Sequence, residues 1–273
     1  MFTNENIEIL QGDLSKSELE AVSNLLSKTF KFKFTFEYLQ WLYNENPNGK
    51  ALVYNAYNKK NIIGHYCLVP ILLFDNRTNS IKKSLLSLHT AIDEDFRGKN
   101  LFIKLAKLSF EQALKDGYYY IFGISNSNST HGFIKYLDFK LIGPLESKVG
   151  YFNLKNNYQN NYFKIYWEEK SINWRFSKPN IKYFFGKNIF RFFKFFKISY
   201  VEDYNKRSSS ILNSLLPELY IGLNYKKTKL GLPIPNFFKP SPLNLIVKSL
   251  NSDVHDFNKN NILITPTDLI DSF

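Results

Sequence analysis

Two apolar periods alternate along this chain and divide it into elements. Residues 7–10 read as a short first strand. From Ser15 the period lengthens. Leu19, Val22, Leu25, Leu26 and Phe30 recur at steps of three and four, which predicts an amphipathic helix. Glu18 stands three residues after Ser15, the spacing of a capping box. A second helical run follows Thr35 through Phe36, Leu39 and Tyr43 and ends at the breaker Asn46-Pro47-Asn48-Gly49. Residues 51–57, 62–74 and 81–92 are strand-like, with turns at 58–61 and 75–80, and predict an antiparallel meander.

The last of these strands enters the stretch around which the rest is organised. An apolar, partly β-branched run over 85–92 meets the acidic corner Asp93-Glu94-Asp95. The basic turn Arg97-Gly98-Lys99-Asn100 follows. A helical run comes next, in which Leu101, Leu105, Leu108 and either Ala113 or Leu114 recur. Strand, turn and helix in this order form a phosphate-binding arrangement. The first N–H groups of a helix have no partner inside it, and the dipole there favours an anion. Gly98 lets the backbone come close to a ligand, and Asn100 tolerates positive φ. Past the helix stop Asp116-Gly117, residues 118–124 read as a strand and 125–132 as a polar loop. A short helix over 133–137 and strands over 140–143 and 149–154 follow.

The remainder repeats part of this order. Residues 172–179 and then 181–185 echo residues 39–47 and then 51–54. In both, a helix carrying a Trp (Trp41 or Trp174) is followed by a Pro (Pro47 or Pro179) and a strand. Aromatic strand-like runs through Tyr200, a helix over 208–219, a strand over 220–225 and a Pro-rich stretch over 232–242 complete the chain. No second turn of the Arg97–Gly98 kind is present. Two units are expected, 1–154 with the ligand site and 155–273 without one. The second is read as a degenerate copy of the first, the alternative being an unrelated cap over the substrate. Residues 190–197 space cations among aromatics. A membrane-surface patch or a stacking platform for nucleic acid is conceivable there, but general aromatic richness favours a buried strand or helix with one basic edge.

The chain's 273 residues suffice for one large or two modest domains, and 44% apolar content supports a real core. The single cysteine, Cys67, excludes an internal disulfide framework and a Cys-based metal site, and fits a reducing compartment. No metal is expected. No secretory signal and no run of about 18 apolar residues is visible, so a cytoplasmic protein without an integral membrane segment is expected. The net charge of +12 suits anionic ligands but does not choose among them. The abundance of Lys, Asn, Phe, Tyr and Ile has the look of an AT-rich genome, so the charge is discounted, and no nucleic-acid partner is expected.

The turn after Ile92 resembles the acetyl-CoA-binding motif of the GCN5-related N-acetyltransferases. That pattern is a strand ending in a hydrophobic residue, then Arg or Gln, two residues, Gly, one residue, and Gly or Ala. Arg97 fills the first position, Asn100 stands for the central Gly, and Phe102 for the final Gly or Ala. Residues 133–139 resemble the family's second motif. The Tyr that often protonates the thiolate there falls at Ile134, with Tyr136 or Asn126 as substitutes, and the usual Gly is Asp138. The order of elements over residues 5–154 is similar to the family's. The resemblance implies an α/β (α+β) fold: a central mixed, mostly antiparallel sheet flanked by helices, plus the degenerate second half.

It also implies acetyl-CoA as co-substrate. Arg97, Gly98, Lys99, Asn100 and Leu101 would hold the diphosphate, and Ile92, Asp93 and Asn126 would border the pantetheine, in a gap where two central strands splay. An amine would attack the thioester, and CoA thiolate would leave. Candidate bases are His89, Asp93, Glu94 and His131. A His suits base work near neutral pH. His89 is equally read as a His tucked into the sheet, Asp93 and Glu94 as caps, and His131 as a solvated loop residue. The expected acceptor is a small amine, a nucleotide-linked amino sugar for surface polysaccharide, lined by Asn126, His131 and Trp174. Two alternatives stand beside it: a tandem-fold aminoacyl transferase of the peptidoglycan type, and a non-catalytic ligand-binding module.

Overall fold

The computed structural model describes residues 7–150, 163–185, 189–193, 196–200, 217–223, 231–234, 243–251 and 257–270. The first elements are β1 (Ile7–Gln11), α1 (Lys16–Phe30), α2 (Phe36–Leu39) and a π-helical turn, Gln40–Asn44. The meander is β2 (Leu52–Asn58), β3 (Asn61–Asp75) and β4 (Ser80–Ile92). After it come α3 (Leu101–Lys115), β5 (Tyr120–Ser125), α4 (Ser127–Leu137), β6 (Lys140–Pro144) and β7 (Glu146–Gly150). The second half contributes β8 (Phe163–Ile165), α5 (Glu169–Arg175), β9 (Ile189–Phe193), β10 (Phe196–Tyr200), β11 (Glu218–Gly222), β12 (Gly231–Pro233), β13 (Asn244–Ser249) and β14 (Ile262–Leu263).

The long strand β3 reads as a nearly continuous apolar run over Tyr66–Phe74 because both of its faces are buried; β4 is buried mainly from Ser84 onward. Tyr66, Leu68, Leu85, Ile121 and Ile246 pack with α3 and α4 on one face. Cys67, Val69, Leu86, Tyr120, Phe122 and Val247 pack with α1 and with the second half on the other. Successive side chains of a strand point to opposite faces, so one sheet serves two cores.

The two halves share one topology. The first sheet runs β1-β2-β3-β4-β5-β13-β6, and the second runs β9-β10-β11-β7-β12. From β3 to β6 the pairings are antiparallel, parallel, antiparallel and antiparallel. From β9 to β12 they follow the same sequence. The second sheet is therefore a shortened copy of the first. The copies also exchange a strand. β13, late in the chain, lies between β5 and β6, while β7 crosses into the second sheet between β11 and β12. The units expected at 1–154 and 155–273 thus each complete the other's sheet.

The two Trp-bearing helices meet at this junction. Trp41 Nε1 donates to the Trp174 carbonyl at 2.9 Å, and Trp174 Nε1 donates to the Trp41 carbonyl at 3.0 Å. Their rings stack with centroids 4.7 Å apart. A contact in which each residue does to the other what is done to it is the mark of a two-fold relation. Here it relates two halves of one chain.

Several elements depart from the sequence reading. Ser15 caps α1 as expected, but Glu18 reaches the N–H of Leu14 rather than that of Ser15, so the capping box does not close. Phe30 is not on the buried stripe of α1; it is exposed. Ala113 rather than Leu114 ends the buried stripe of α3. The polar residues 127–132 are the first turns of α4, not a loop, because Asn126 caps that helix through Ser129. Glu218 and Leu219 begin β11 instead of ending a helix; residues 208–216 of that expectation, and 151–154 of the last strand of the first half, lie outside the described residues. Of residues 190–197, 190–193 lie in β9 and 196–197 in β10, its antiparallel partner, and Arg191 and Lys197 are buried; 194 and 195 lie outside the described residues.

Candidate active site

The parallel strands β4 and β5 pair only from Ser84 opposite Tyr120 to Ser87 opposite Gly123. Beyond that point β4 continues to Ile92 and β5 to Ser125 without pairing to each other, so the sheet opens between them. Being parallel, both strands end on the same side, where α3 and α4 begin. A crevice at the carboxyl ends of parallel strands, flanked by helix N-termini, is a place where α/β sheets take ligands.

The start of α3 has the geometry a phosphate needs. Asn100 adopts the left-handed conformation, with φ 56° and ψ 21°, and no side chain caps the helix. Gly98 has φ 79° with open space around it. Arg97, Gly98, Lys99 and Asn100 are exposed, while Leu101 is buried and offers its N–H alone. Phe102, in the place of a small residue, fits between β3 and α4. Its ring lies 6.3 Å from Tyr66 and 5.1 Å from Phe133, and Gly132 makes room for it.

The corner before the turn is built by Asp93. Its N–H donates to the Ile63 carbonyl, so the preceding peptide N–H, that of Ile92, is directed to the opposite edge, facing the opening. The Asp93 carboxylate accepts from Asp95 N–H at 3.3 Å and from the Lys28 ammonium at 2.9 and 3.2 Å. The Lys28 ammonium holds this carboxyl below the usual carboxylate range, which makes it a poor base. Glu94 lies exposed in the 3₁₀ turn that Asp93 caps.

His89 occupies a bulge of β4. Leu88 opposes Cys67 and Ala91 opposes His65, so His89 and Thr90 together face Tyr66. The extra residue places His89 at φ 50°, a left-handed conformation that costs a non-glycine residue on the order of 1 kcal/mol. Its ring packs edge-on to Phe34 at 5.1 Å and to Tyr38 at 5.8 Å. Phe34 is pinned by two serines of α1: its N–H donates to Ser27 and its carbonyl accepts from Ser23.

Behind His89 lies a buried polar chain that the sequence reading missed. His89 Nδ1 is 2.7 Å from the Tyr43 hydroxyl, which is 3.0 Å from His65 Nε2. His65 Nδ1 is 2.7 Å from Asn55 Oδ1, and Asn55 Nδ2 donates to Glu18 at 2.8 Å. Asn55, His65 and Tyr43 are fully buried. Burial, and then the neighbouring His89, push His65 down to about 3, so it is neutral near pH 7. The only sequence sign of this chain was polar residues inside apolar strands, Asn55 in β2 and His65 in β3. Tyr43 gave no sign, because the π-helical turn that aims its hydroxyl departs from the predicted α period.

The structure separates the other expected site residues. His131 and Tyr136 are exposed and meet edge-on at 6.3 Å on α4, which packs on the α3 side of the sheet. His89 lies on the α1 side, packed with Phe34, Tyr38 and Tyr43. Asn126 stands at the end of β5, beside the opening, but its side chain is the cap of α4. Trp174, expected to line acceptor space, is buried against Trp41. Among the described residues no cluster of side chains suits a metal ion, and no helix is long and apolar enough to cross a membrane.

No protein-family model matches the sequence, and no curated protein matches it. Solved structures do share its fold. A protein of Enterococcus faecalis V583 described as a probable N-acyltransferase superposes with a TM-score of 0.60 at 9% identity, over 90% of this chain and 73% of that one. A GCN5-related N-acetyltransferase of Anabaena variabilis superposes with a TM-score of 0.59 at 11% identity, over 89% and 73%. The chain therefore has the fold of the GCN5-related N-acetyltransferases. Both likenesses extend across the two halves.

Proposed function

We propose that this protein is an acyl-CoA-dependent N-acetyltransferase. The observation that carries the reading is the parting of β4 and β5 beside the uncapped, Asn100-led start of α3. Acetyl-CoA lies across that opening, its diphosphate on the N–H groups of the turn 97–101 with Arg97 and Lys99 beside it. The thioester carbonyl is polarised by the Ile92 N–H. The acceptor amine bonds to the acetyl carbon, the carbon–sulfur bond breaks, and the thiolate leaves. His89 takes the proton from the acceptor ammonium, and the second nitrogen proton, lost as the amide forms, ends on the thiolate. Asn126 and Tyr136 are the candidates for assisting that thiolate from the α4 side, and His131 is the alternative base there. The acceptor is a nucleotide-linked amino sugar in a cytoplasmic pathway to surface polysaccharide. The exchange of strands between two copies favours a second reading, the tandem-fold aminoacyl transferase, but the basic turn 97–99 suits a nucleotide diphosphate better than a tRNA end.

Calorimetry with acetyl-CoA and with dephospho-CoA tests the binding step. Micromolar binding is expected, and Asn100→Pro should abolish it, since proline removes an N–H of the turn and forbids positive φ. No heat at millimolar ligand would leave only a non-catalytic module. Thiol release with nucleotide amino sugars, polyamines, amino acids and Lys peptides then tests the acceptor. Turnover with peptides or polyamines alone would refute the sugar assignment.

A further inference from the structure

We infer that the buried chain Glu18–Asn55–His65–Tyr43 fixes the tautomer of His89, leaving Nε2 as its basic nitrogen. As far as catalysis is concerned, the inference rests on the acyl-transfer reading above; the polarity of the chain does not. An ionised carboxylate only accepts hydrogen bonds. Glu18 takes three: from the Leu14 N–H at 2.7 Å, the Tyr57 hydroxyl at 2.9 Å and the Asn55 amide at 2.8 Å. Burial pushes the Tyr57 phenol up to about 12, so it stays a donor.

The Asn55 NH₂ must therefore face Glu18, and its carbonyl oxygen must face His65. His65, neutral, donates from Nδ1 to that oxygen and so accepts at Nε2. Among the described residues the one hydrogen within reach of Nε2 is the Tyr43 hydroxyl's, so Tyr43 donates there. With its one hydrogen committed, the Tyr43 oxygen can only accept from His89 Nδ1. His89 is thereby an Nδ1–H imidazole with its lone pair on Nε2. Every link is set by the one before it, and the first is set by a carboxylate on α1.

This arrangement does two things for a base. It presents the unprotonated nitrogen without a tautomer change, and it holds Nδ1–H while Nε2 takes up a proton. His65 is wholly buried, whereas His89 retains 6% exposure, so of the two histidines only His89 reaches the surface of the site. Glu18, Asn55, His65 and Tyr43 are positioning residues; none need touch the acceptor.

Nitrogen-15 spectra of the histidine-labelled protein test this directly, since the chain has only four histidines. In the wild type, His65 and His89 should both appear as Nδ1–H tautomers. Tyr43→Phe should leave His65 as Nδ1–H and shift His89 toward Nε2–H, a selective change that general loosening does not produce. Asn55→Leu should release both rings. Turnover by Tyr43→Phe should fall about 10- to 100-fold, with KM for acetyl-CoA unchanged. A wild-type His89 carrying its proton on Nε2, or a Tyr43→Phe spectrum identical to the wild type, overturns the inference. Correct tautomers in a protein that turns over no acceptor uphold the chain and count against the acyl-transfer reading alone.

Discussion

His89 combines three features that ordinary packing does not require together: a left-handed backbone, a strand bulge and a hydrogen bond to a buried tyrosine. A histidine serving only to fill the sheet could be replaced by an apolar residue of regular strand geometry. The conformation makes a specific forecast. Asn tolerates positive φ, so His89→Asn should melt within a few degrees of the wild type while losing about 10²–10⁴-fold in turnover. His89→Val should melt clearly lower, because a β-branched residue bears the full left-handed cost of about 1–2 kcal/mol. Equal melting of the two variants would show that the bulge relaxes and that its strain has no role. The sequence alone placed His89 on a central strand and offered it as a base. It gave no hint that Asp93, offered beside it, is neutralised by Lys28 from α1.

At the scale of elements, the pattern of apolar residues located most strands and helices within two residues. It failed at ends and at irregular turns. The start of α4 was missed because Ser, Asn and Thr in a row suit a loop as well as a capped first turn. The π-helical turn was missed because no side-chain period announces it. Strand exchange was also out of reach: β13 and β7 are ordinary strands whose partners lie about 120 and 70 residues away along the chain. The exchange predicts how the protein can be cut. A fragment of residues 1–154 lacks β13, which leaves one edge of β5 unpaired and the sheet interrupted before β6. Such a fragment should aggregate or show no dispersed amide spectrum, while co-expression with 155–273 should recover folded protein. A monomeric, cooperatively folding 1–154 would refute the interdependence of the halves.

For the molecule as a whole, the buried chain behind His89 ties stability to pH. Below its ordinary value of 6.5 an unfolded His65 takes up a proton, while the folded one, pushed down to about 3, does not. The stabilising share of this site is therefore fully present above about pH 6.5 and is lost as pH falls toward 3, at up to about 1.4 kcal/mol per pH unit. Asp268 acts in the opposite sense: burial pushes it up to about 6, so its share is present in acid and lost as pH rises through 6. Denaturant melts of the wild type mix the two, and His65→Gln separates them. The variant should be less stable at pH 7, and the wild type's advantage over it should shrink as pH falls from 6.5 to 4.5. Parallel curves would show that His65 is not held neutral.

By itself the sequence determined the order of elements, the tight turn at Arg97–Asn100 before α3 and the echo of Trp41 in Trp174. These are local matters: apolar period, turn chemistry and a repeated short pattern act over neighbouring residues, where the chain carries their signal directly. Only the tertiary structure decided that the echo is a two-fold contact, that each half completes the other's sheet, and that a carboxylate on α1 is joined to a histidine on β4 through three intervening side chains. Those outcomes depend on which distant residues share a face and on where buried polar groups find partners. A buried hydrogen bond must be satisfied by whatever the fold brings within 3 Å, and sequence distance carries no information about that.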